Sequence, residues 1–600
     1  MSITTATATA AATEAGPAHG TRPSARARSA LAGLALIVTL GVALSGCGSG
    51  SADGTTANPA VAVPASAALY AGATVRPSGA QKTAALAAGA ALTHQADPYL
   101  RLLAALQTPG SPQLSFKSDV APWLGPHAGI FLSSLGSSSS ALLSLLEQGL
   151  LGTATTGAFP FSPGGAQGAL VLDTSDASKA RSFLDTQAKR AGAHAASYRG
   201  VAYQVTSGKV AFGLIDRFAV IGSESGMRSV IETTLGASSL AHAGGYAKLL
   251  AAAPPDALGN LYTNPASVSA SQAKSSPEAS TAEGLAGLLT LLTGTRQANV
   301  SLVPSSSALT LDADTVAAGS SGAGGGLLAV DPEGARALAE LPGESWLAIG
   351  LGHVGETLAQ DVQGLRTLGS LFGSGSEGAS SDLGLSLGSI VQALTTPLGV
   401  LAGTSAQARH DFASWMGSGG IFASGASLLE LRAAVVIASK DPVASRAAVA
   451  DLGDQLRKAG VSASPVSIAG TEAAIGVRLS GLPVVLDVAD GRDSSGQARF
   501  VLGVGEASVQ DALRPSGALA GTAPYDAATA ALGEGAQPSV IVDFPTMLSL
   551  LEGLGLTESP AIAKYVPYLR ASTTLAGGGH QLGGEVERFR LTLGLQPPSE

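Results

Sequence analysis

The sequence predicts an α+β protein in which one domain, a mostly antiparallel sheet covered by helices, occurs twice in tandem. Three observations lead to this prediction. The chain has 600 residues, which is too long for a single compact core. Its apolar residues switch repeatedly between the spacing of strands and that of helices. Several short landmarks also recur in the same order in the two halves.

The elements of the first copy follow from the period of its apolar residues. Short apolar or alternating runs predict strands, and apolar residues on one side of a longer stretch predict helices. The predicted order is a strand at 168–172, a helix at 178–193, a strand at 201–206, a hairpin of 210–215 and 218–221, and a helix at 227–235. The second copy repeats this order, which indicates one sheet per copy with helices packed on it.

The landmarks place the boundaries of the two copies. The recurring pairs are Pro64 and Pro342, Trp123 and Trp415, Asp176 and Asp441, Arg217-Phe218 and Arg499-Phe500, and Tyr246 and Tyr525. They predict a first copy at 63–318 and a second at 334–600, joined by a Gly/Ser-rich linker at 319–333. Each copy carries a long Gly-, Ser- and Leu-rich insertion before its first strand, at 133–164 and 367–396.

The N-terminal segment has the pattern of an export signal. Three arginines, Arg22, Arg26 and Arg28, precede an uncharged apolar run at 30–44. This is the order of the n-region and h-region of a secretory signal, and the run is short for a membrane-spanning helix. We therefore predict a signal peptide at 1–46 and a flexible tether at 47–62, which places the folded body outside the cytoplasmic membrane.

The end of this segment resembles the lipobox of bacterial lipoproteins. The residues are Leu44, Ser45, Gly46 and Cys47, and Cys47 is the single cysteine of the chain. The resemblance implies that the thiol of Cys47 takes a diacylglyceryl group and that the signal is cut just before it. Two acyl chains give a stable membrane anchor, whereas one holds only marginally. The alternative is an uncleaved signal anchor with an incidental cysteine.

Composition excludes some functions and leaves others open. The net charge is −9 without a basic patch, which argues against nucleic-acid binding. The eight histidines are scattered, so we predict no metal site, and we predict no cofactor. Mean hydropathy is +0.30, but alanine accounts for it, and no second apolar run of about 20 residues occurs. The predicted partner is the membrane, through Cys47; a protein or lipid partner is left open.

Three features of the sequence are candidates for functional sites. Gly350-Leu-Gly352-His-Val-Gly355 has the glycine spacing of a dinucleotide-binding turn but lacks an acidic residue about 20 positions later. Gly384-Leu-Ser386-Leu-Gly388 fits a nucleophile elbow, with His410 or His580 as the base it would need. Trp123 and Trp415 occupy equivalent places, where each either lines a pocket or fills a core.

Several landmarks of the first copy resemble one family. They are Pro64 followed by Tyr70, Pro122-Trp-Leu-Gly125, Tyr198-Arg-Gly200-Val and the Leu-Ala before Tyr246. Together they resemble an actinobacterial family catalogued as domain of unknown function 3352. The resemblance covers most of 63–600 and implies an exported or membrane-tethered protein but no activity. The second copy departs from the pattern, with Ser414 for Pro122 and Ala469-Gly470 for Arg199-Gly200.

The sequence thus predicts a lipid-anchored envelope lipoprotein without a catalytic role, which binds or scaffolds a partner at the outer face of the membrane. One alternative is a carrier of a hydrophobic ligand such as a lipid, with the Leu-rich insertions lining its cleft. The other alternative is an envelope serine hydrolase centred on Ser386, which requires a histidine within hydrogen-bond reach.

Overall fold

A computed structural model describes the folded body of the chain. The described residues are 58–93, 114–134, 167–264, 297–316, 330–356, 413–427, 429–458, 460–478, 485–558, 562–563, 565–583 and 585–596. The predicted signal peptide, Cys47, both long insertions and most of the predicted linker lie outside these residues.

Twenty strands of the described residues form one antiparallel sheet. They are β1 (Leu69–Thr74), β2 (Leu124–Ser134), β3 (Gln167–Thr174), β4 (His194–Tyr198), β5 (Val201–Val205), β6 (Val210–Ile215), β7 (Phe218–Ser223), β8 (Gly259–Thr263), β9 (Ala298–Pro304), β10 (Ala308–Val316), β11 (Ser345–Leu351), β12 (Met416–Ser424), β13 (Arg432–Ser439), β14 (Ser462–Pro465), β15 (Thr471–Arg478), β16 (Val485–Arg492), β17 (Ala498–Val504), β18 (Gln537–Asp543), β19 (Ser572–Gln581) and β20 (Val586–Leu595). The α+β class and the antiparallel sheet predicted from the sequence are confirmed.

The order of strands across the sheet is the same in its two halves. The first half runs β4-β5-β6-β7-β3-β2-β1-β8-β9-β10. The second half runs β14-β15-β16-β17-β13-β12-β11-β18-β19-β20. Strand β10 pairs with β20 over nine residues, from Ala308 opposite Gly594 to Val316 opposite Val586. We call this pairing the seam.

The seam corrects one part of the prediction. The sequence predicted one sheet in each copy, whereas the strands of both halves belong to a single sheet. The physical reason is that β10 and β20 would otherwise be long edge strands with unpaired backbone groups. Their pairing satisfies these groups and leaves two short edges, the five-residue β4 and the four-residue β14.

Helices cover both faces of the sheet. In the described residues they are α1 (Gly79–Thr93), α2 (Ala177–Arg190), α3 (Glu224–Thr234), α4 (Gly244–Ala252), α5 (Pro332–Ala339), α6 (Pro442–Lys458), α7 (Gly505–Leu513), α8 (Ala523–Leu532), α9 (Phe544–Gly553) and α10 (Val566–Ala571). Helices α3, α4, α5, α7 and α8 pack on one side, which we call the front face. Helices α1, α2, α6 and α9 pack on the back face.

The chain joins the folded body earlier than predicted. The sequence placed 58–62 in the flexible tether, but Pro59–Val61 forms a 3₁₀ turn, and Pro59, Ala60 and Ala62 are buried. The Asn58 side chain accepts a hydrogen bond from the backbone N–H of Ala60 and caps this turn. Small apolar side chains after a capping residue therefore fix this segment on the front face.

One landmark of the predicted duplication is shifted by a residue. Val171 of β3 faces Val220, and the equivalent Val436 of β13 faces Val501. Phe218 is therefore equivalent to Arg499 and not to Phe500. Because a shift of one residue in a strand moves a side chain to the other face, Phe218 lies in the front core and Phe500 in the back core.

No helix within the described ranges is long and apolar enough to cross a membrane.

Candidate functional site

The residues predicted for lipid attachment, Leu44, Ser45, Gly46 and Cys47, lie outside the described residues. The same holds for Ser386 and His410. The structure does describe Trp123, Trp415, His580 and the glycines from Gly350 to Gly355.

Both predicted tryptophans are in the core on the back face. Trp123 is 1% exposed, and its indole N–H donates to the carbonyl of Asp119 at 2.7 Å. Its ring lies 5.0 Å from that of Phe183 on α2. Trp415 is 3% exposed and lies 5.2 Å from the ring of Phe500. The two rings thus fill equivalent places but use different aromatic partners.

The glycines of the Gly350 motif pack against this chain's own backbone. A Cβ on Gly350 would lie 1.9 Å from the carbonyl oxygen of Gly334 on α5. A Cβ on Gly352 would overlap the carboxylate of Asp331, which caps the same helix. Helix α5 therefore occupies the surface that a pyrophosphate would need, and the motif serves helix packing.

Three tyrosines form a buried cluster on the front face of the first half. Tyr246 of α4 packs edge-on against Tyr70 of β1 and Tyr262 of β8, with centroid distances of 5.8 and 5.1 Å. The hydroxyl of Tyr70 donates to the side-chain oxygen of Asn58 at 3.5 Å. The Tyr246 hydroxyl is buried without a hydrogen-bond partner, and burial raises the pKa of Tyr246 to about 12. The three tyrosines thus form an uncharged surface on which the N-terminal 3₁₀ turn packs.

A second polar group lies beside Gly125. Asp173 is fully buried and accepts two hydrogen bonds from Arg217, at 3.0 and 2.6 Å. Its other oxygen has no partner and lies against Gly125. Burial raises the pKa of Asp173, while burial lowers the pKa of the nearby His127. The group is confined to the first half, because Ala438 takes the place of Asp173 in the second.

The largest buried polar group crosses the centre of the sheet on the front face. We call it the polar belt; its members are Asn260, Asn299, Ser301, Asp312, Asp314, Arg588 and Arg590. These residues stand opposite one another on β8, β9, β10 and β20. The Asn260 amide donates to Asn299 at 2.9 Å, and the Asn299 amide donates to Ser301 at 3.1 Å.

The seam carries the charges of the polar belt. Arg590 donates to both oxygens of Asp312, at 2.7 and 2.8 Å. Arg588 donates to both oxygens of Asp314, at 2.7 and 2.9 Å. Both aspartates are fully buried, and the Arg588 side chain is only 8% exposed. Two bidentate pairs thus join the halves where water is excluded.

The ends of two helices complete the network. The guanidinium of Arg588 donates to the carbonyl of Ala252 at the end of α4, at 2.6 Å. The guanidinium of Arg590 donates to the carbonyl of Leu532 at the end of α8, at 3.2 Å. Carbonyl groups in the last turn of a helix lack partners within the helix and carry partial negative charge. Each arginine therefore binds one helix end, and Arg588 also lies 3.4 Å from Asp312, so it pairs with both aspartates.

The electrostatics of the polar belt follow from burial and pairing. Burial raises the pKa of Asp314, although the Arg588 guanidinium opposes this shift. The hydrogen bond to Asp312 raises the pKa of Arg590. Burial and the two neighbouring arginines lower the pKa of His580, whose Nδ1 is buried without a partner. His580 faces Arg588 across the strands and stays neutral.

This arrangement is suited to joining parts of the protein. Its carboxylates and guanidiniums pair with one another, and the belt contains no nucleophile beside a base. Among the residues that the structure describes, no three His, Cys, Asp or Glu side chains are placed to hold a metal ion. The chemistry of the polar belt is that of a buried ionic joint.

Sequence reasoning missed the polar belt. The available signal was Asp312-Ala-Asp314 in one apolar alternating strand and Arg588-Phe-Arg590 in another. Two like charges at strand spacing within an apolar alternation indicate charges on one face of a sheet. An opposite pattern elsewhere in the chain is the partner that buried charges require.

Comparison with known proteins places the chain in one family. The family model described as "Protein of unknown function (DUF3352)" matches residues 29–561. The chain belongs to this family. No curated protein and no solved structure matches it significantly. The DUF3352 match spans both halves of the sheet, and it includes the predicted lipobox as well as the whole of β1 to β18.

Proposed function

We propose that this DUF3352 protein is an exported lipoprotein, held at the outer face of a cell membrane by lipid on Cys47, with a non-catalytic binding or scaffolding role. The observation that carries the proposal is the order of an arginine-rich segment, an uncharged apolar run and Leu44-Ser45-Gly46-Cys47. The two acyl chains that such a cysteine receives give a stable anchor.

The entry point of the chain into the fold supports this proposal. Ten residues separate Cys47 from Asn58, where the described body begins. At full extension this segment spans at most about 40 Å. The buried turn that follows is in contact with β2 and β3, so the first half lies closest to the anchor.

We further infer that the two halves of the sheet are tandem copies of one domain. Their ten strands pair in the same order, which supports this inference. The isolated bridges agree, because Pro64 faces Ser239 in the first half and Pro342 faces Ala518 in the second. The copies correspond to 63–318 and 334–600, and Asn58–Ala62 packs onto the first.

Metabolic labelling with a palmitate analogue tests the anchor. The wild-type chain should label and partition with membranes, whereas Cys47→Ala should lose the label. Ser45→Ala, which leaves the thiol in place, is the matched control and should still label. Labelling of Cys47→Ala at the wild-type level would contradict the proposal. An unlabelled wild-type chain that stays in the membrane would favour the uncleaved signal anchor.

A further inference from the structure

We propose that the seam is an internal dimer interface whose charges select its partner, because Asp312 and Arg590 lie on a pseudo-two-fold axis. In this arrangement the first half pairs with the second half and not with another copy of itself. The proposal rests on the tandem duplication inferred above. It concerns residues 63–600 and is independent of the lipid anchor.

The register of the strands shows which residues of the halves are equivalent. In the first half, Ala71 faces Leu261, Leu261 faces Val300 and Val300 faces Ala313. In the second half, Ile349 faces Val540, Val540 faces Gly577 and Gly577 faces Leu591. These four residues are the equivalents, in the same order, of the four in the first half.

The equivalence of Ala71 and Ile349 follows from the glycines next to them. Gly72 faces Gly129 in the first half, and Gly350 faces Gly420 in the second. Ala71 is thus equivalent to Ile349, and Ala313 is equivalent to Leu591. One residue earlier in each strand, Asp312 is equivalent to Arg590.

Asp312 also faces Arg590 across the seam. A residue that stands opposite its own equivalent in an antiparallel pair lies on the two-fold axis that relates the two copies. In a symmetric dimer such a position meets an identical side chain. Here the two copies hold opposite charges at this position, which is possible because they belong to one chain.

Like charges cannot occupy this position in pairs. Asp312 is fully buried, so two first halves would bring two buried carboxylates together. Two second halves would bring two copies of Arg590 together. Like charges directly opposite each other on neighbouring strands destabilise the pairing of these strands. The destabilisation is larger when the charges are buried without a counter-charge. The seam therefore rejects both like-with-like pairings, which is a general route to specificity.

The helix ends support the axis. Helices α4 and α8 are equivalent, and each ends beside the seam on the front face. Arg588 donates to the end of α4, and Arg590 donates to the end of α8. The front face of the seam thus has one helix end from each half beside it.

The test is a charge exchange in the full chain. Asp312→Arg and Arg590→Asp each place like charges in the seam, and each should lower the thermal unfolding midpoint by about 5 °C or more. Because the two positions are equivalent about the axis, the double exchange D312R/R590D should recover part of that loss. Repulsion between the new arginine and Arg588, which lies 3.4 Å from Asp312, limits the recovery. Equal amounts of the two single variants, co-expressed with different tags, should co-purify as a 1:1 complex.

Two controls separate this effect from a general loss of charge pairs. Lys248 and Glu585 also join the two halves, at 2.6 Å, but are exposed, so K248E should shift the midpoint by less than about 1 °C. Asp314 and Arg588 are off the axis. The double exchange D314R/R588D should therefore recover a smaller fraction of the fall in unfolding midpoint caused by its own single variants than D312R/R590D does.

Defined outcomes overturn the proposal. It fails if either axial single variant unfolds like the wild type, if the axial exchange recovers nothing, or if the off-axis exchange recovers as much. If the single variants fail to accumulate, the soluble yields of the two double variants are compared instead. A yield of D312R/R590D that is no higher than that of D314R/R588D would overturn the proposal. Loss of palmitate labelling would refute the anchor while leaving this result unchanged.

Discussion

The two halves cover equivalent points of the sheet with different groups. In the second half, Gly350 of β11 touches the backbone of Gly334 on α5. In the first half, Gly72 of β1 occupies the equivalent position and is covered by the side chains of Tyr70 and Asn260. A 3₁₀ turn, Pro59–Val61, stands where the second half has the end of its eight-residue helix.

This difference shows how two halves with the same strand order can differ in their side chains without a change of topology. Ala348 and Ser539 occupy the second-half positions of Tyr70 and Asn260. Small side chains at these positions leave room for a helix to approach the sheet, whereas a tyrosine and an asparagine fill the same room from within. The larger pair also begins the row of polar residues that leads to the seam, so the polar belt extends over the first half.

The two tryptophans test whether equivalent positions in the two halves both belong to a packed core. Trp123→Ala and Trp415→Ala should each lower the free energy of unfolding by about 3–5 kcal/mol, because each removes a large side chain from a packed core. Urea unfolding followed by circular dichroism measures both. A tryptophan that could be removed at a cost below about 1 kcal/mol would line a pocket instead, and it would break the equivalence of the halves.

The paired glycines sharpen the contrast. Gly350→Ala should lower the free energy of unfolding by about 2–3 kcal/mol, because the new methyl group meets the backbone of α5. Gly72→Ala should cost less, about 1–2 kcal/mol, because the new methyl group meets two side chains at 2.8 and 2.9 Å and not the backbone of a packed helix. The same urea titration compares them. Equal losses would mean that the first half is as rigidly covered as the second.

Histidines in both halves give the smallest expected effect. Burial lowers the pKa of His127 in the first half and of His580 beside the seam. The unfolded chain therefore binds protons more readily than the folded chain below about pH 6.5, and stability falls as the pH drops through this range. Because each side chain is only half-buried, solvent screening keeps its contribution to about 1 kcal/mol at most.

Unfolding titrations at pH 7 and pH 5 measure this contribution. His127→Gln and His580→Gln should each reduce the difference in stability between the two pH values, and the double variant should reduce it further. A difference that is unaffected by either change would contradict the lowered pKa of these half-buried side chains.

The sequence predicts elements whose signal is local. The hairpin of β6 and β7 and the helix α2 follow from apolar periods and from the Asp216-Arg217 turn, and they are confirmed. Strand β4 was missed because its residues, His194 to Tyr198, are largely exposed and carry little apolar alternation. The seam was missed for another reason, because it joins residues 270 to 286 positions apart and no local pattern specifies that pairing.

The prediction of the candidate site follows the same division. Trp123 and Trp415 were found because a motif repeats around them, and their burial agrees with the core reading. Asp312 and Arg590 do not repeat, since the two copies differ in charge at this position. A search for identical residues therefore passes over this pair, which joins the two halves through opposite charges.

A sheet of twenty strands also sets a length. Nineteen spacings of about 4.8 Å give a contour of about 90 Å measured across the strands. The N-terminal turn contacts β3 and β2, which are the fifth and sixth strands from the β4 edge. About 70 Å of sheet, measured across the strands, therefore separates this turn from β14. With the proposed lipid on Cys47, the two ends of the molecule have different ranges. Along this contour the first half is then nearer to the anchor than the second half is.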